Sequence, residues 1–90
     1  MNSFDKEQFY RTVKQIAKAI DGEYFVSKRG SWVTVVIEFQ VEVDTPEGPT
    51  QAKGKLYGRG NGYFNAEREL ESVYGRWRDS PTGKKVLNLV

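Results

Sequence analysis

The chain predicts an α+β fold: a two-layer α-β-β-β-α sandwich, with a three-stranded antiparallel sheet carrying two helices on one face. Three observations lead there. Residues 31–64 read SWVTVVIEFQVEVD, then TPEGPT, then QAKGKLYGRGNGYF, which is two fourteen-residue arms about a Pro/Gly turn. Residues 3–21 and 65–79 repeat their apolar side chains at helical spacing. Residues 23–29, EYFVSKR, form a short β-type run that ends against Gly30.

The first arm alternates strictly. Val33, Val35, Ile37, Phe39, Val41 and Val43 share one face, and Trp32, Thr34, Val36, Glu38, Gln40, Glu42 and Asp44 share the other. Period two with β-branched enrichment marks a strand with one buried side. Folding the arms about residues 45–50 pairs Trp32 with Tyr63, Val36 with Arg59, Glu38 with Tyr57, Gln40 with Lys55 and Glu42 with Lys53. On the inner face it sets Val33, Val35 and Ile37 against Gly62, Gly60 and Gly58, so large side chains oppose glycine and a helix can approach closely. A strand of this length spans about 46 Å, which predicts a bend or bulge. The alternative for Gly58–Gly62 is a plain loop, with the second arm ending near Arg59.

The first helix, 3–21, buries Phe9, Val13, Ile16, Ala17 and Ile20, and shows Glu7, Arg11, Lys14 and Lys18 to solvent. Ser3 or Asn2 suits its cap, and Gly22 a left-handed end. An Arg29-Gly30 turn pairs Ser27 with Trp32 and Phe25 with Thr34, which points Tyr24 and Val26 inward and Phe25 outward. The second helix, 65–79, takes Asn65 as its cap and Ala66, Leu70, Val73 and Trp77 as its buried stripe. Glu67, Glu69 and Glu71 then lie near its positive end. Gly75 inside it implies a close contact, because glycine costs about 1 kcal/mol in a helix interior. Residues 1–79 make one α+β domain. Residues 80–90, SPTGKKVLNLV, are a tail whose Val86, Leu87, Leu89 and Val90 either add an edge strand, pack on the sheet, or fray.

Composition removes most chemistry. The 90 residues contain neither His nor Cys, so the commonest general base, the thiol nucleophile and thiolate metal sites are all missing. We therefore expect no enzyme, no cofactor and no metal. Glu38 and Glu42 share a sheet face but read as partners of neighbouring residues, not as an acid/base pair. Gly58-Arg59-Gly60-Asn61-Gly62 lacks both phosphate-loop and dinucleotide spacing. No leader or membrane-spanning run is visible, and the expected location is cytoplasmic. The net charge of +2 resides in Lys84 and Lys85; before them, acids and bases balance. Any basic patch must arise by segregation rather than by excess.

The functional candidates lie on the outer sheet face and its rim: Phe25, Arg29, Trp32, Lys55, Tyr57, Arg59 and Tyr63, with Lys53 beside them. Aromatics interleaved with cations stack bases and hold the backbone of nucleic acid. The same types suit a protein partner, since Trp, Tyr and Arg dominate binding hot spots. Two expectations follow. One is a non-enzymatic nucleic-acid-binding protein. The other is a protein-binding inhibitor or regulator using the same face, of the compact kind carried by phages and mobile elements. A homodimer that hides the aromatics is a third arrangement.

The element order resembles the double-stranded-RNA-binding domain over roughly residues 4–78. Tyr24, the Val-x-Val alternation, Gly58-x-Gly60 and the helix opening Ala66-Glu67 carry that likeness. That family docks phosphates with paired lysines at the start of its last helix. The comparable positions here are Tyr63-Phe64, followed by acidic residues, so the resemblance implies topology and not RNA binding.

Overall fold

The computed structural model describes residues 3–87. Its elements run α1 (Ser3–Ala19), β1 (Glu23–Arg29), β2 (Trp32–Thr45), β3 (Gly48–Asn61), α2 (Tyr63–Arg78) and α3 (Pro81–Val86). The sheet is antiparallel in the order β1-β2-β3. The architecture is the expected α+β arrangement, with a short third helix at the end.

Both hairpins close through two residues. Arg29 faces Trp32 across Gly30-Ser31, and Thr45 faces Gly48 across Pro46-Glu47. Gly30, the first residue of its turn, has φ 61°, as a two-residue hairpin with glycine there requires; Gly48, with φ 112°, follows the Pro46-Glu47 turn. Each register is displaced by two residues from the expected one: on β2–β3 Val33 meets Gly60 and Val35 meets Gly58, and on β1–β2, where the turn is Gly30-Ser31 and not Arg29-Gly30, Phe25 meets Val36. An even shift leaves every side chain on its expected face, which is why the face assignment survives the change of partners. The β2–β3 register is unbroken from Trp32↔Asn61 to Thr45↔Gly48, so the expected bulge is absent. Gly58–Asn61 is strand and not loop.

The core lies between the inner sheet face and the two long helices. Phe9, Val13, Val33, Val35, Ile37 and Leu70 are wholly buried, each contributing roughly 1.5–3 kcal/mol relative to an exposed side chain. α2 rests mainly on β3, and α1 packs beside α2 with one end against β1. The glycine row of β3 permits this. A Cβ on Gly60 would stand 2.5 Å from the Ala66 nitrogen and the Asn65 carbonyl carbon, and one on Gly58 would stand 2.8 Å from Leu70 Cβ.

Several local expectations are corrected. Asp21, with φ 54°, takes the left-handed position after α1, not Gly22. The Asn2 cap lies outside the described residues. α2 starts two residues early, capped by Gly62 and not Asn65. Gly62 has φ 91° and donates its N–H to the Ser31 carbonyl at 2.7 Å, so the chain turns directly from β3 into the helix. Asn65 instead donates from Nδ2 to the Asn61 carbonyl at 2.7 Å. Gly75 has open space where a Cβ would stand, so the close contact expected there does not exist. Gly75→Ala should raise stability by about 0.5–1 kcal/mol in urea titrations, the helix-interior difference between the two residues; a loss would mean that the helix needs glycine there.

Residues 81–86 form a helix and not an edge strand, and residues 88–90 fall outside the described residues. Ser80 caps this helix by accepting from the Gly83 N–H at 3.1 Å. Gly83 sits against the Trp77 carbonyl. Lys85 reaches Asp44 on the long hairpin at 3.9 Å. That hairpin outruns β1: the β1–β2 pairing stops at Glu23↔Glu38, while β2 and β3 continue alone to the turn. The molecule measures 51 × 25 × 17 Å in consequence.

Candidate functional site

Among the described residues, no helix covers the outer sheet face. The register sorts its side chains into rows across the three strands. Arg29, Trp32 and Asn61 form the first row, nearest the β1–β2 turn. Ser27, Thr34 and Arg59 form the second, and Phe25, Val36 and Tyr57 the third. Glu23, Glu38 and Lys55 follow, and then only hairpin residues: Gln40 with Lys53, Glu42 with Gln51, and Asp44 with Pro49.

This order separates charge along a chain whose total is nearly balanced. The first three rows hold two arginines, three aromatic rings and no carboxylate. The remaining rows hold Glu23, Glu38, Glu42 and Asp44 against Lys53 and Lys55. Glu38 lies between both lysines, at 3.8 Å from Lys53 and 3.9 Å from Lys55. On this face the cationic surplus is therefore confined to the Trp32 end.

The rings there are open to solvent. Phe25, Trp32 and Tyr57 are 52%, 46% and 56% exposed, large values for side chains of their size. The Arg59 guanidinium lies 4.9 Å from the centre of the Trp32 ring, a cation–π contact that holds a positive charge beside an aromatic surface. Ser27 and Thr34 are short, so the middle row is low between its neighbours. With Lys28, Arg29, Trp32, Tyr57 and Arg59 they border a shallow depression of about 550 Å³.

Of the residues singled out in the sequence, Phe25, Arg29, Trp32, Tyr57 and Arg59 come together here. Lys55 shares the face one row further on and is drawn to Glu38. Tyr63 does not belong. It is the first residue of α2, on the helical side, where its ring packs 5.2 Å from Phe9 and 6.4 Å from Tyr10. Strand alternation continued through Tyr63 points it outward, but β3 ends at Asn61 and Gly62 turns the chain into α2 first.

Two features carried little sequence signal. A second depression of about 470 Å³ lies behind the first, around Gly30, Ser31, Gly62, Tyr63 and Phe64. It exists because two positive-φ glycines bring the β1–β2 turn beside the start of α2. The other is Glu67, expected at the solvent-facing helix start but 6% exposed between the helices. The Thr12 hydroxyl donates to its Oε2 at 2.7 Å. The signal was a polar residue inside the apolar stripe of each helix.

Among the described residues, no cluster of carboxylates is placed to hold a metal ion, and no helix is long and apolar enough to cross a membrane. Comparisons with protein-family models, curated proteins and solved structures return no match.

Proposed function

We propose that this chain is a small binding module that holds nucleic acid against the Trp32 end of its open sheet face, without catalysing a reaction. One observation carries the reading: three exposed rings and two arginines occupy consecutive rows that contain no carboxylate. Exposed rings offer stacking surfaces for bases, and the arginines offer planar, permanently charged donors to phosphate. Burying such rings against a ligand also removes the cost of leaving them in water.

The test reads Trp32 fluorescence in a Trp77→Phe background, because Trp77 is half-buried against Phe39 at 5.0 Å. Single- and double-stranded DNA and RNA are added at low salt. Trp32→Ala, followed by gel shift, should weaken binding about tenfold to hundredfold, the worth of one stacked base. Lys53→Ala at the far end should change it little. If none of the four nucleic acids quenches Trp32 or shifts in a gel, the proposal fails.

A protein partner is favoured by a different observation, the long hairpin beyond β1. Glu42, Asp44 and Glu47 near its tip would suit a basic protein surface, with Trp32 and Arg59 as anchors. Recovery of one defined protein after nuclease treatment, lost in Trp32→Ala, would establish that reading in place of the first.

A further inference from the structure

Resting on the nucleic-acid reading above, we infer that the ligand is an unpaired strand covering about three nucleotides at the Trp32 end, and that duplexes are excluded. The argument starts from the size of the cationic zone. Trp32 and Val36 are four residues apart on β2, which is about 14 Å, and the outer strands lie about 10 Å apart. Beyond that area come Glu23 and Glu38, then Glu42 and Asp44. A polyanion following the 51 Å length of the molecule would therefore run into carboxylates within a few nucleotides.

The rings set the strandedness. Phe25 and Tyr57 flank Val36 in one row, and Trp32 stands two rows away. Three separate rings can stack at most three bases, and only bases not already stacked on neighbours within a helix. Arg59, held over Trp32 at 4.9 Å, lies where the phosphate next to a base on Trp32 would pass.

A duplex has another way to meet a sheet, by admitting a two-stranded ribbon to its major groove. The β2–β3 hairpin past Glu38 has that shape. Its residues are of the wrong charge. Glu42, Asp44 and Glu47 stand near the tip, where Lys85 offsets Asp44 alone at 3.9 Å, and Lys53 sits further down beside Glu38. Groove walls lined with phosphates would repel it.

Two arginines give a numerical expectation. Neutralising two phosphates of a single strand yields a slope of about −1.4 for the logarithm of affinity against that of salt concentration.

The experiment is the Trp32 quenching titration in Trp77→Phe, with a trinucleotide, a single-stranded dodecamer and the blunt duplex of the same sequence. The expected result is quenching by both single strands, with the dodecamer gaining only what its extra registers supply, and none by the duplex. The salt slope should be about −1.4, falling to about −0.7 in Arg59→Ala. Binding of the duplex as tight as that of the single strand overturns the inference and leaves the proposed function standing. So does a slope steeper than about −3, which would need four or more phosphates. Absence of quenching by every oligonucleotide removes both.

Discussion

Gly60→Ala should destabilise the protein by roughly 3 kcal/mol, the upper end of the cost of overpacking. The added methyl would lie 2.5 Å from the Ala66 nitrogen and the Asn65 carbonyl carbon. Both are backbone atoms, so no rotamer change relieves the overlap; the first turn of α2 must move. That turn is fixed from both sides. The Gly62 N–H is bonded to the Ser31 carbonyl at 2.7 Å, and the Ala66 N–H to the Gly62 carbonyl at 3.2 Å. Moving it also disturbs Ala66 and Leu70, which are wholly buried. Urea titration gives the measurement, with Gly75→Ala as the opposite case in the same protein. A Gly60→Ala cost under about 0.5 kcal/mol, the scale of an ordinary surface change, would show that helix and sheet are not in close contact there.

Thr12→Val should cost roughly 2–3 kcal/mol, because it leaves a buried carboxylate short of a donor. Thr12 and Glu67 are 8% and 6% exposed, and the hydroxyl-to-carboxylate distance is 2.7 Å. Gln8 offers the same oxygen a longer donation, 3.4 Å, which replaces little of it. Glu67→Gln keeps an acceptor for Thr12 and should cost less. Replacing both residues, Thr12→Val with Glu67→Leu, should recover much of the loss, since it leaves only Gln8 and Glu71 without their partner and both of these reach solvent. A double-mutant cycle measures the coupling, and additive single costs would mean that the pair contributes no coupling to holding α1 on α2.

Glu71, one turn further along α2, has its carboxyl pushed above the ordinary range. Burial is the main cause, followed by the charge of Glu67 and by hydrogen bonding to it. A raised value in the folded protein means that its stabilising contribution is complete in acid and disappears as pH rises through that value. Glu71→Gln should therefore raise stability slightly at neutral pH, the gain kept small by exposure to solvent, and leave it unchanged in acid. Paired melts at the two pH values check the sign.

The strands and their faces were readable because strict alternation in β2 leaves one solution for what is buried. The exact pairing was not, since two-residue turns and longer ones place side chains on the same faces whenever they differ by an even number. The cluster of Phe25, Trp32, Tyr57 and Arg59 could be read for the same reason: parity alone puts them outward. Tyr63 failed because alternation was carried past Gly62, whose φ of 91° is the break. The tail failed on propensity. Val86 and Leu87 read as β-formers, but Ser80-Pro81 opens a helix, with proline in its first turn and serine as cap. The helix-interior cost of glycine implied a close neighbour at Gly75, but cost alone does not place one, and none stands within 4 Å of the Cβ position there.

Among the described residues, the stretch of β2 beyond Glu38 has a strand neighbour on β3 but no strand on the side that β1 has left. An unpaired strand margin is an invitation to fibril growth and to accidental addition of foreign chains. Gln40, Glu42 and Asp44 alternate along that margin, so an approaching copy would bring like charge against like. Carboxylates on such a margin would disfavour the addition of a second copy strand to strand.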